Sequence, residues 1–444
     1  MKKIYLVSLG CPRNLVDSEV LQGLLEERGF TVAADAGDGI DAAIVNTCGF
    51  IQDAKQESVD MILRLAALKK EGRIKKLVVS GCLSQRYPKE LMEEIKEIDG
   101  IFGTSDFIRI PGLLDAVLAG EKIEQISSAP GFLYDHSSKR AFLTPPHYAY
   151  VKIQEGCPNR CSYCVIPDLR GRLRSRTVDS ILREAGNIKA ERAVKELILI
   201  GQDITSFGIE RSGRSELADL LKKIGPVMKN GWVRLLYTHP ARFTDELIDV
   251  IRDTGNICRY VDLPVQHVND GILRDMNRCH NRDDITGLIR RLRRRVKGVA
   301  LRTSIIVGFP GETDAQFEEL LDFLREIKFE RLGAFMYSRE EGTRAAGFSG
   351  QIPQKVKRDR FDEVMRLQQE ISRENNLKLL GKTMKVLIDE RLDTDPGQFS
   401  GRTYMDAPEV DGTVFVRGED LRTGEFTDAR ITGTMEYDLI AERV

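Results

Sequence analysis

The stretch Gly156-Cys157-Pro158-Asn159-Arg160-Cys161-Ser162-Tyr163-Cys164 places three cysteines close together in the chain. Three thiols at this spacing are typical of a metal or iron–sulfur site rather than of a disulfide framework. A structural zinc site takes four ligands, so a Cys3His zinc knuckle that uses His147 or a distant histidine is one interpretation. A four-iron four-sulfur cluster normally has four cysteine ligands, and three would leave one iron open to a substrate. The spacing favours the open cluster, with the zinc knuckle as the alternative.

The composition describes a globular protein of two or three domains. The chain has 444 residues, of which 41% are hydrophobic and 30% are charged, and this length exceeds one ordinary core. A formal net charge of −1 argues against a dominant phosphate-binding surface. No apolar stretch approaches the roughly 20 residues that span a bilayer, and the eight cysteines show no short-range pairing pattern. We therefore expect a cytoplasmic protein without a membrane anchor.

The first hundred residues alternate between segments of strand length and segments with helical spacing. Apolar runs occupy residues 4–9, 42–45 and 77–79, and the segments 15–28 and 54–70 between them have apolar residues at helical spacing. This alternation predicts a parallel sheet covered by helices.

Each of these predicted strands is followed by a cysteine, namely Cys11, Cys48 or Cys82. The carboxyl ends of parallel strands meet at one edge of a sheet, where ligands bind. The sequence therefore predicts a second three-cysteine cluster. The alternative is three buried cysteines that act as small hydrophobic residues. Cys258 and Cys279 lack partners at a useful spacing.

The strand and helix alternation continues through the middle of the chain. Strands are predicted at residues 148–153, 196–200, 233–236, 260–263, 301–307 and 332–336. Six β/α units predict a partial TIM-type (β/α)6 barrel, in which chemistry takes place at the carboxyl ends of the strands. The three-cysteine loop follows the first strand, and Gly201-Gln202-Asp203 follows the second. The loop at residues 307–313 is either a ligand loop or an ordinary turn before a helix.

Four alternating arginines follow the three-cysteine loop: Arg170, Arg172, Arg174 and Arg176. They could contact phosphates, although a solvated face is the commoner explanation for such a run.

The end of the chain has a different character. A long amphipathic segment at residues 356–379 leads into short β-prone pieces separated by Gly- and Asp-rich turns, which predict a small OB-like β-barrel. Residues 382–444 contain 8 Lys/Arg and 14 Asp/Glu, a net charge of −6, whereas the rest of the chain carries +5. RNA-binding barrels are usually basic. An acidic barrel favours a basic protein surface as its partner.

Taken together, these motifs resemble the radical S-adenosylmethionine methylthiotransferases over essentially the whole chain. The resemblance implies an N-terminal cluster domain (2–118), a radical S-adenosylmethionine core (143–373) and a C-terminal TRAM domain (376–442). It also implies that Cys11, Cys48 and Cys82 hold an auxiliary cluster and that Cys157, Cys161 and Cys164 hold the radical cluster. Gly201-Gln202-Asp203 stands where the superfamily often has Gly-Gly-Glu, so Gln202 and Asp203 are expected to contact S-adenosylmethionine.

Three stretches indicate the branch within this family. The tRNA-modifying branch typically has Gly-Cys-Gln-Met-Asn at its first cysteine, whereas this chain has Gly10-Cys11-Pro12-Arg13-Asn14. That segment, with residues 232–237 and 337–343, is similar to the RimO branch, which methylthiolates the β-carbon of an aspartate in ribosomal protein S-twelve. The acidic tail agrees, because ribosomal proteins are basic. A tRNA methylthiotransferase and a non-enzymatic iron–sulfur carrier are the alternatives.

The resemblance also implies the cofactors and the reaction. Two four-iron four-sulfur clusters and S-adenosylmethionine are expected. The reduced radical cluster would cleave S-adenosylmethionine to a 5′-deoxyadenosyl radical, which abstracts an unactivated hydrogen. The auxiliary cluster would hold or donate sulfur, and a second S-adenosylmethionine would supply the methyl group. The expected partners are ribosomal protein S-twelve, free or within the small subunit, an electron donor and a sulfur donor. A monomer is expected.

Overall fold

The computed structural model describes residues 2–392 and 397–444. These residues form a parallel α/β sheet, an open (β/α)6 barrel and a small closed β-barrel, in that order along the chain. The predicted fold class is confirmed. None of the helices in the described residues is long and apolar enough to cross a membrane.

The first part is a six-stranded parallel sheet. Its strands are β1 (Lys3–Ser8), β2 (Thr31–Ala33), β3 (Ile40–Thr47), β4 (Ile74–Gly81), β5 (Ile98–Phe102) and β6 (Ile123–Gln125), in the order β2-β1-β3-β4-β5-β6. Its helices are α1 (Pro12–Glu27), α2 (Gln52–Lys70), α3 (Cys82–Arg86), α4 (Pro88–Glu94) and α5 (Ile110–Ala119). Strands β3 and β4 are buried along most of their length, as expected for a sheet covered on both faces. The three strands predicted from the sequence, β1, β3 and β4, are neighbours in this sheet.

The middle part contains the six predicted barrel strands and two further short strands. The strands are β7 (Tyr148–Lys152), β8 (Gln154–Glu155), β9 (Arg174–Ser175), β10 (Glu196–Ile200), β11 (Trp232–Leu235), β12 (Tyr260–Asp262), β13 (Ala300–Val307) and β14 (Arg331–Met336). Strands β11-β10-β7 and β12-β13-β14 form two parallel sheets, and a parallel bridge between Val233 and Ile257 connects them. The short strands β8 and β9 pair with each other beside the three-cysteine loop.

Helices cover the outside of this barrel. They are α6 (Ile166–Arg170), α7 (Val178–Glu191), α8 (Ile209–Ser212), α9 (Leu217–Val227), α10 (Asp245–Asp253), α11 (Asp270–Asp275), α12 (Arg282–Arg295), α13 (Asp314–Ile327) and α14 (Gln354–Leu377). One large apolar core, which includes Val151, Leu199, Leu301 and Leu320, joins the strands to the helices.

The last part is a closed five-stranded barrel, as predicted for the tail. Its strands are β15 (Thr383–Arg391), β16 (Gln398–Arg402), β17 (Val414–Arg417), β18 (Phe426–Thr434) and β19 (Leu439–Arg443), in the order β15-β16-β17-β19-β18. Several of its acidic side chains face the middle part of the chain. Asp406 pairs with Arg331, and Asp411 lies 3.3 Å from the Nε of Arg302. Part of the tail's negative charge therefore attaches the tail to the (β/α)6 barrel.

Candidate functional site

The cysteines of the first part lie at the carboxyl ends of three adjacent strands. Cys11 precedes α1, Cys48 follows β3 directly, and Cys82 begins α3 directly after β4. Strand register pairs Ser8 with Asn46 and Thr47 with Gly81, which brings the three loops to one edge of the sheet. This is the convergence that the sequence predicts.

Close backbone packing holds these loops together. A Cβ on Gly10 would lie 2.7 Å from the Cβ of Cys48, and a Cβ on Gly49 would lie 2.9 Å from the carbonyl carbon of Cys82. Gly10 also has a φ of +86°, which only glycine adopts readily. The side chain of Asn14 donates hydrogen bonds to the carbonyl oxygens of Leu9 and Thr47, at 3.1 and 2.9 Å. Glycine at these positions therefore lets the cysteine loops approach each other.

The second set of cysteines lies in the loop between β8 and α6. Gly156 begins this loop with a φ of +78°, and a Cβ there would lie 2.1 Å from the carbonyl oxygen of Arg172. The amide of Ser162 donates to the carbonyl oxygen of Met276 at 3.0 Å, and its hydroxyl donates to the carbonyl oxygen of Asp275 at 2.7 Å. The loop is thus fixed at both the β9 side and the α11 side of the barrel mouth.

Arginine side chains contact sulfur atoms in both sets, two in the first set and one in the loop. Arg13 and Arg170 donate to the Sγ atoms of Cys11 and Cys82 at 3.4 and 3.3 Å. In the loop, Arg278 donates to the Sγ of Cys161 at 3.7 Å. A cation beside a sulfur favours the thiolate, which is the form that binds a metal. Three thiols in each set, with arginines beside Cys11, Cys82 and Cys161, fit an anionic iron–sulfur cluster.

Burial acts in the opposite direction on several of these thiols. It raises the pKa of Cys48 to about 12, with a contribution from the neighbouring Cys82. Burial and the carboxylate of Asp203 raise the pKa of Cys157 to about 11. Burial also acts to raise the pKa of Cys11, but the charge and hydrogen bond of Arg13, the backbone amide of Asn14 and the charge of Arg170 together outweigh it, so this pKa lies below its ordinary value. A bound metal therefore has to displace protons from most of these thiols.

A cavity of about 390 Å³ lies at the barrel mouth. It is lined by Cys157 and Cys164 from the loop, by Gln202 and Asp203, and by Arg13 from the first part. Its volume lies in the range of small-molecule sites. Among residues 2–392 and 397–444, no three His, Cys, Asp or Glu side chains come close enough together to hold a single metal ion.

The two predicted cofactor-contacting residues both line this cavity, and hydrogen bonds fix their side chains. Asp203 accepts from Asn159 Nδ2 and from Arg242 Nη1, each at 2.8 Å. Gln202 donates to Glu155 at the end of β8. The buried Gln202 Oε1 has no hydrogen-bond partner among the described residues. The second strand end therefore presents one carboxylate and one amide oxygen to the cavity.

The loop at residues 307–313 behaves as an internally braced turn. Glu312 accepts from the amides of Gly308 and Phe309, at 2.8 and 3.2 Å, and from Arg360 at 2.9 Å. The carboxylate of Glu312 is thus hydrogen-bonded to the loop backbone and to Arg360 of α14. The backbone of this segment still lies near the site, because Phe309 packs edge-to-face against Tyr163.

His147, the fourth ligand of the zinc interpretation, lies at the other end of the barrel. It stands just before the amino end of β7, and its Nε2 is 2.9 Å from Asp389 in the tail. The three-cysteine loop follows the carboxyl end of the same strand region. The zinc knuckle with His147 is therefore wrong.

The interpretation of the arginine run as a solvated face or a phosphate site is wrong for two of its four arginines. Arg170 and Arg176 are each only 3% exposed. Arg170 pairs with Asp17 at 2.6 Å, and Arg176 pairs with Glu184. Asp17 lies 153 positions from Arg170, so a sequence window around the run does not contain it, whereas Glu184 lies eight positions from Arg176 on α7.

Sequence reasoning missed Arg13, Tyr237 and Arg278 as site residues. Arg13 follows Cys11 by two positions, and this proximity was the available signal. The positive φ of Tyr237, +63°, cannot be predicted from the sequence around it.

The comparisons with known proteins agree with this architecture. Family models match the Radical SAM superfamily at residues 151–324, Uncharacterized protein family UPF0004 at residues 3–103 and the TRAM domain at residues 380–444. Two curated relatives carry the name ribosomal protein uS12 methylthiotransferase RimO. The one from Desulforamulus reducens is 47% identical over 100% of this chain and 99% of its own length. The one from Heliobacterium modesticaldum is 46% identical over 100% of this chain and 95% of its own length.

A solved structure resembles the fold. The radical S-adenosylmethionine methyltransferase TsrM from Kitasatospora setae matches with a TM-score of 0.56 and 18% identity, over 75% of this chain and 73% of that chain. At this identity the likeness concerns the fold alone.

Proposed function

Because the chain belongs to the RimO branch of the radical S-adenosylmethionine methylthiotransferases, we propose that it methylthiolates the β-carbon of an aspartate in ribosomal protein uS12, the S-twelve of the small subunit. The observation that supports this proposal is a cavity at the barrel mouth that is lined by Cys157 and Cys164 of one set and by Arg13, which contacts Cys11 of the other set. Sulfur insertion at an unactivated carbon needs both a radical source and a sulfur source within reach of the same atom.

The cofactors of this family are S-adenosylmethionine and four-iron four-sulfur clusters. We assign Cys157, Cys161 and Cys164 as ligands of the radical cluster, and Cys11, Cys48 and Cys82 as ligands of the auxiliary cluster. When bound, these groups supply the radical and sulfur chemistry that no amino-acid side chain provides. The protein's own residues bind, orient and enclose the reactants.

Gln202 and Asp203 are assigned to S-adenosylmethionine. A carboxylate suits the positively charged amine of a methionyl group, and the unpartnered Gln202 Oε1 is a further acceptor for its N–H groups. Asn159 and Arg242 hold Asp203 in one orientation, and Glu155 holds Gln202. These contacts fix the two side chains before the cofactor arrives, which reduces the entropy lost on binding.

Aromatic side chains form part of the cavity wall. Tyr163 and Tyr337 line the cavity and pack edge-to-face against the buried Phe309. An apolar wall limits the water that reaches a reactive radical from that side.

We also propose the domain bounds 2–118, 143–373 and 376–442. They agree in order with the three family matches, at residues 3–103, 151–324 and 380–444. The proposed reaction further requires an electron donor and a sulfur donor. We propose that the enzyme acts in the cytoplasm, which a ribosomal protein as substrate supports, and that it acts as a monomer.

Anaerobic reconstitution of the protein with iron and sulfide tests this function. The reconstituted protein, with S-adenosylmethionine and a reductant, is expected to form 5′-deoxyadenosine and to methylthiolate uS12. An iron–sulfur carrier would form neither product. The two products together therefore separate the enzyme from the carrier.

A further inference from the structure

Arg13 lies between the two cysteine sets and lines the cavity. Its Nε donates to the Sγ of Cys11 at 3.4 Å, and its Nη1 donates to the carbonyl oxygen of Gly201 at 3.0 Å. Its guanidinium is 4.5 Å from the ring centroid of Tyr237. These contacts hold the side chain across the boundary between the first part and the barrel. Its remaining nitrogen, Nη2, has no hydrogen-bond partner within residues 2–392 and 397–444.

The other charged groups at the cavity are already engaged. Arg278 uses Nη1 for the Sγ of Cys161 and Nη2 for the carbonyl oxygen of Pro264. Asp203 is paired with Arg242, and Glu340 is paired with Lys55 and Arg86. Among the described cations that line the cavity, Arg13 and Arg278 each have one nitrogen without a hydrogen-bond partner, but Arg278 Nε is buried within the protein, so Arg13 Nη2 is the donor left for a ligand.

The proposed substrate contains a group that this donor can bind, the side-chain carboxylate of an aspartate. In an aspartate, the carboxylate carbon is bonded directly to the β-carbon that receives the sulfur. A residue that binds the carboxylate therefore fixes the position of the reacting carbon, which is only two covalent bonds from the hydrogen-bonded oxygen. Arg13 contacts Cys11 of the first set and Gly201, at the end of β10 near the three-cysteine loop. A carboxylate bound to Arg13 would therefore hold the β-carbon close to both sets.

We propose that Arg13 binds the side-chain carboxylate of the substrate aspartate and so selects aspartate and positions its β-carbon between the two cysteine sets. This inference rests on the proposed function. A guanidinium recognises a carboxylate with charge-assisted hydrogen bonds and a fixed geometry. The contacts to Cys11, Gly201 and Tyr237 orient it before the substrate binds, which preserves binding free energy.

Peptide discrimination tests the inference. Two fluorescent peptides with the uS12 target sequence, one with the target aspartate and one with asparagine in its place, are titrated into the anaerobically reconstituted enzyme. The unaltered enzyme is expected to bind the aspartate peptide about 10- to 100-fold more tightly, as a charge-assisted hydrogen bond provides. In Arg13→Met this ratio should fall to near one, whereas Arg13→Lys should keep part of it. The charge-matched control Arg172→Met, at an exposed position, should keep the full ratio.

The ratio separates recognition from a structural role, because a damaged fold weakens both peptides alike. Iron content and 5′-deoxyadenosine formation are measured on each variant. An unchanged ratio in Arg13→Met would overturn the inference, and so would a loss of iron and of both peptides in Arg13→Met and Arg13→Lys. If the unaltered enzyme itself fails to modify the aspartate peptide, the proposed function falls. If it modifies the peptide and Arg13→Met still discriminates, only the role of Arg13 falls.

Discussion

The guanidinium of Arg170 lies 3.3 Å from the Sγ of Cys82. Arg170 ends α6, shortly after the three-cysteine loop of the barrel, whereas Cys82 begins α3 in the first part of the chain. The same arginine pairs with Asp17 at 2.6 Å and with Glu155 at 3.4 Å. One buried cation therefore connects the neighbourhoods of the two cysteine sets.

Removing this cation should destabilise the protein. Arg170→Met leaves Asp17 and Glu155 with Lys152 as their remaining cationic partner. Breaking a buried ion pair at one partner costs about 3–5 kcal/mol, because the other charge stays buried. Urea unfolding of the metal-free protein should show a lower midpoint. Arg172→Met, an exposed change in the same run, should alter stability by no more than about 0.5 kcal/mol. Equal midpoints for the two variants would contradict the account.

The same network predicts a dependence on pH. Burial acts to raise the pKa of Glu155, but Lys152 and Arg170 outweigh it and hold this pKa at about 2, below the ordinary value of 4.5. The stabilisation is present above pH 4.5 and is lost as the pH falls towards 2, because the unfolded chain takes up the proton first. Unfolding midpoints between pH 5 and pH 2 should fall less steeply in Arg170→Met than in the unaltered protein.

The three-cysteine loop is expected to hold one of two clusters. Changing Cys157, Cys161 and Cys164 together to alanine should leave roughly half of the iron and abolish S-adenosylmethionine cleavage, because no open iron remains to bind the cofactor. Iron analysis and chromatography of 5′-deoxyadenosine measure the two effects. Full iron content, or surviving cleavage, would show that these residues are not the ligands.

The strand-end cysteines should have a different effect. Alanine at Cys11, Cys48 and Cys82 should again halve the iron but preserve S-adenosylmethionine cleavage, since the loop cluster remains. Sulfur insertion into uS12 should stop, as mass spectrometry of the product would show. Complete methylthiolation by this variant would show that Cys11, Cys48 and Cys82 do not hold a cluster that the reaction needs.

The acidic tail should accelerate association with a basic substrate. Glu419, Asp420 and Glu425 are exposed, and reversing them to lysine should slow binding of uS12, because complementary charge acts mainly on the association rate. The difference should shrink as salt shortens the Debye length to about 8 Å at physiological strength. Stopped-flow association rates measure the effect, and S-adenosylmethionine cleavage should be unchanged.

A matched control distinguishes this surface from net charge alone. The exposed acids Glu318, Asp322 and Glu326 on α13 are reversed to lysine in a second variant with the same change in charge. Equal slowing in both variants, or in neither, would mean that the tail has no specific part in docking and that its acids serve solubility.

Sequence patterns predicted the elements and the cysteine positions because both depend on local information. The alternation of strand and helix defines the parallel sheet, and the strand ends of such a sheet meet at one edge. The pairs that complete the site join distant segments. Arg13 contacts a carbonyl oxygen 188 positions away, and Arg170 pairs with an aspartate 153 positions away. No window around either arginine contains its partner.

The charge of the tail illustrates the same limit. Composition gave its net charge, but not the direction in which each acid points. In the structure, Asp406 and Asp411 face arginines of the barrel, while Glu419, Asp420 and Glu425 face solvent. The acids available to a partner are therefore fewer than the count in the sequence.

The central claim concerns the substrate, and a direct competition tests it. The reconstituted enzyme is incubated with S-adenosylmethionine, a reductant, purified uS12 and unmodified tRNA in one reaction, and both products are analysed by mass spectrometry with fragmentation. The account predicts a methylthio group on one aspartate of uS12 and unmodified tRNA. A methylthio group on tRNA with unmodified uS12, while S-adenosylmethionine is being cleaved, would contradict it.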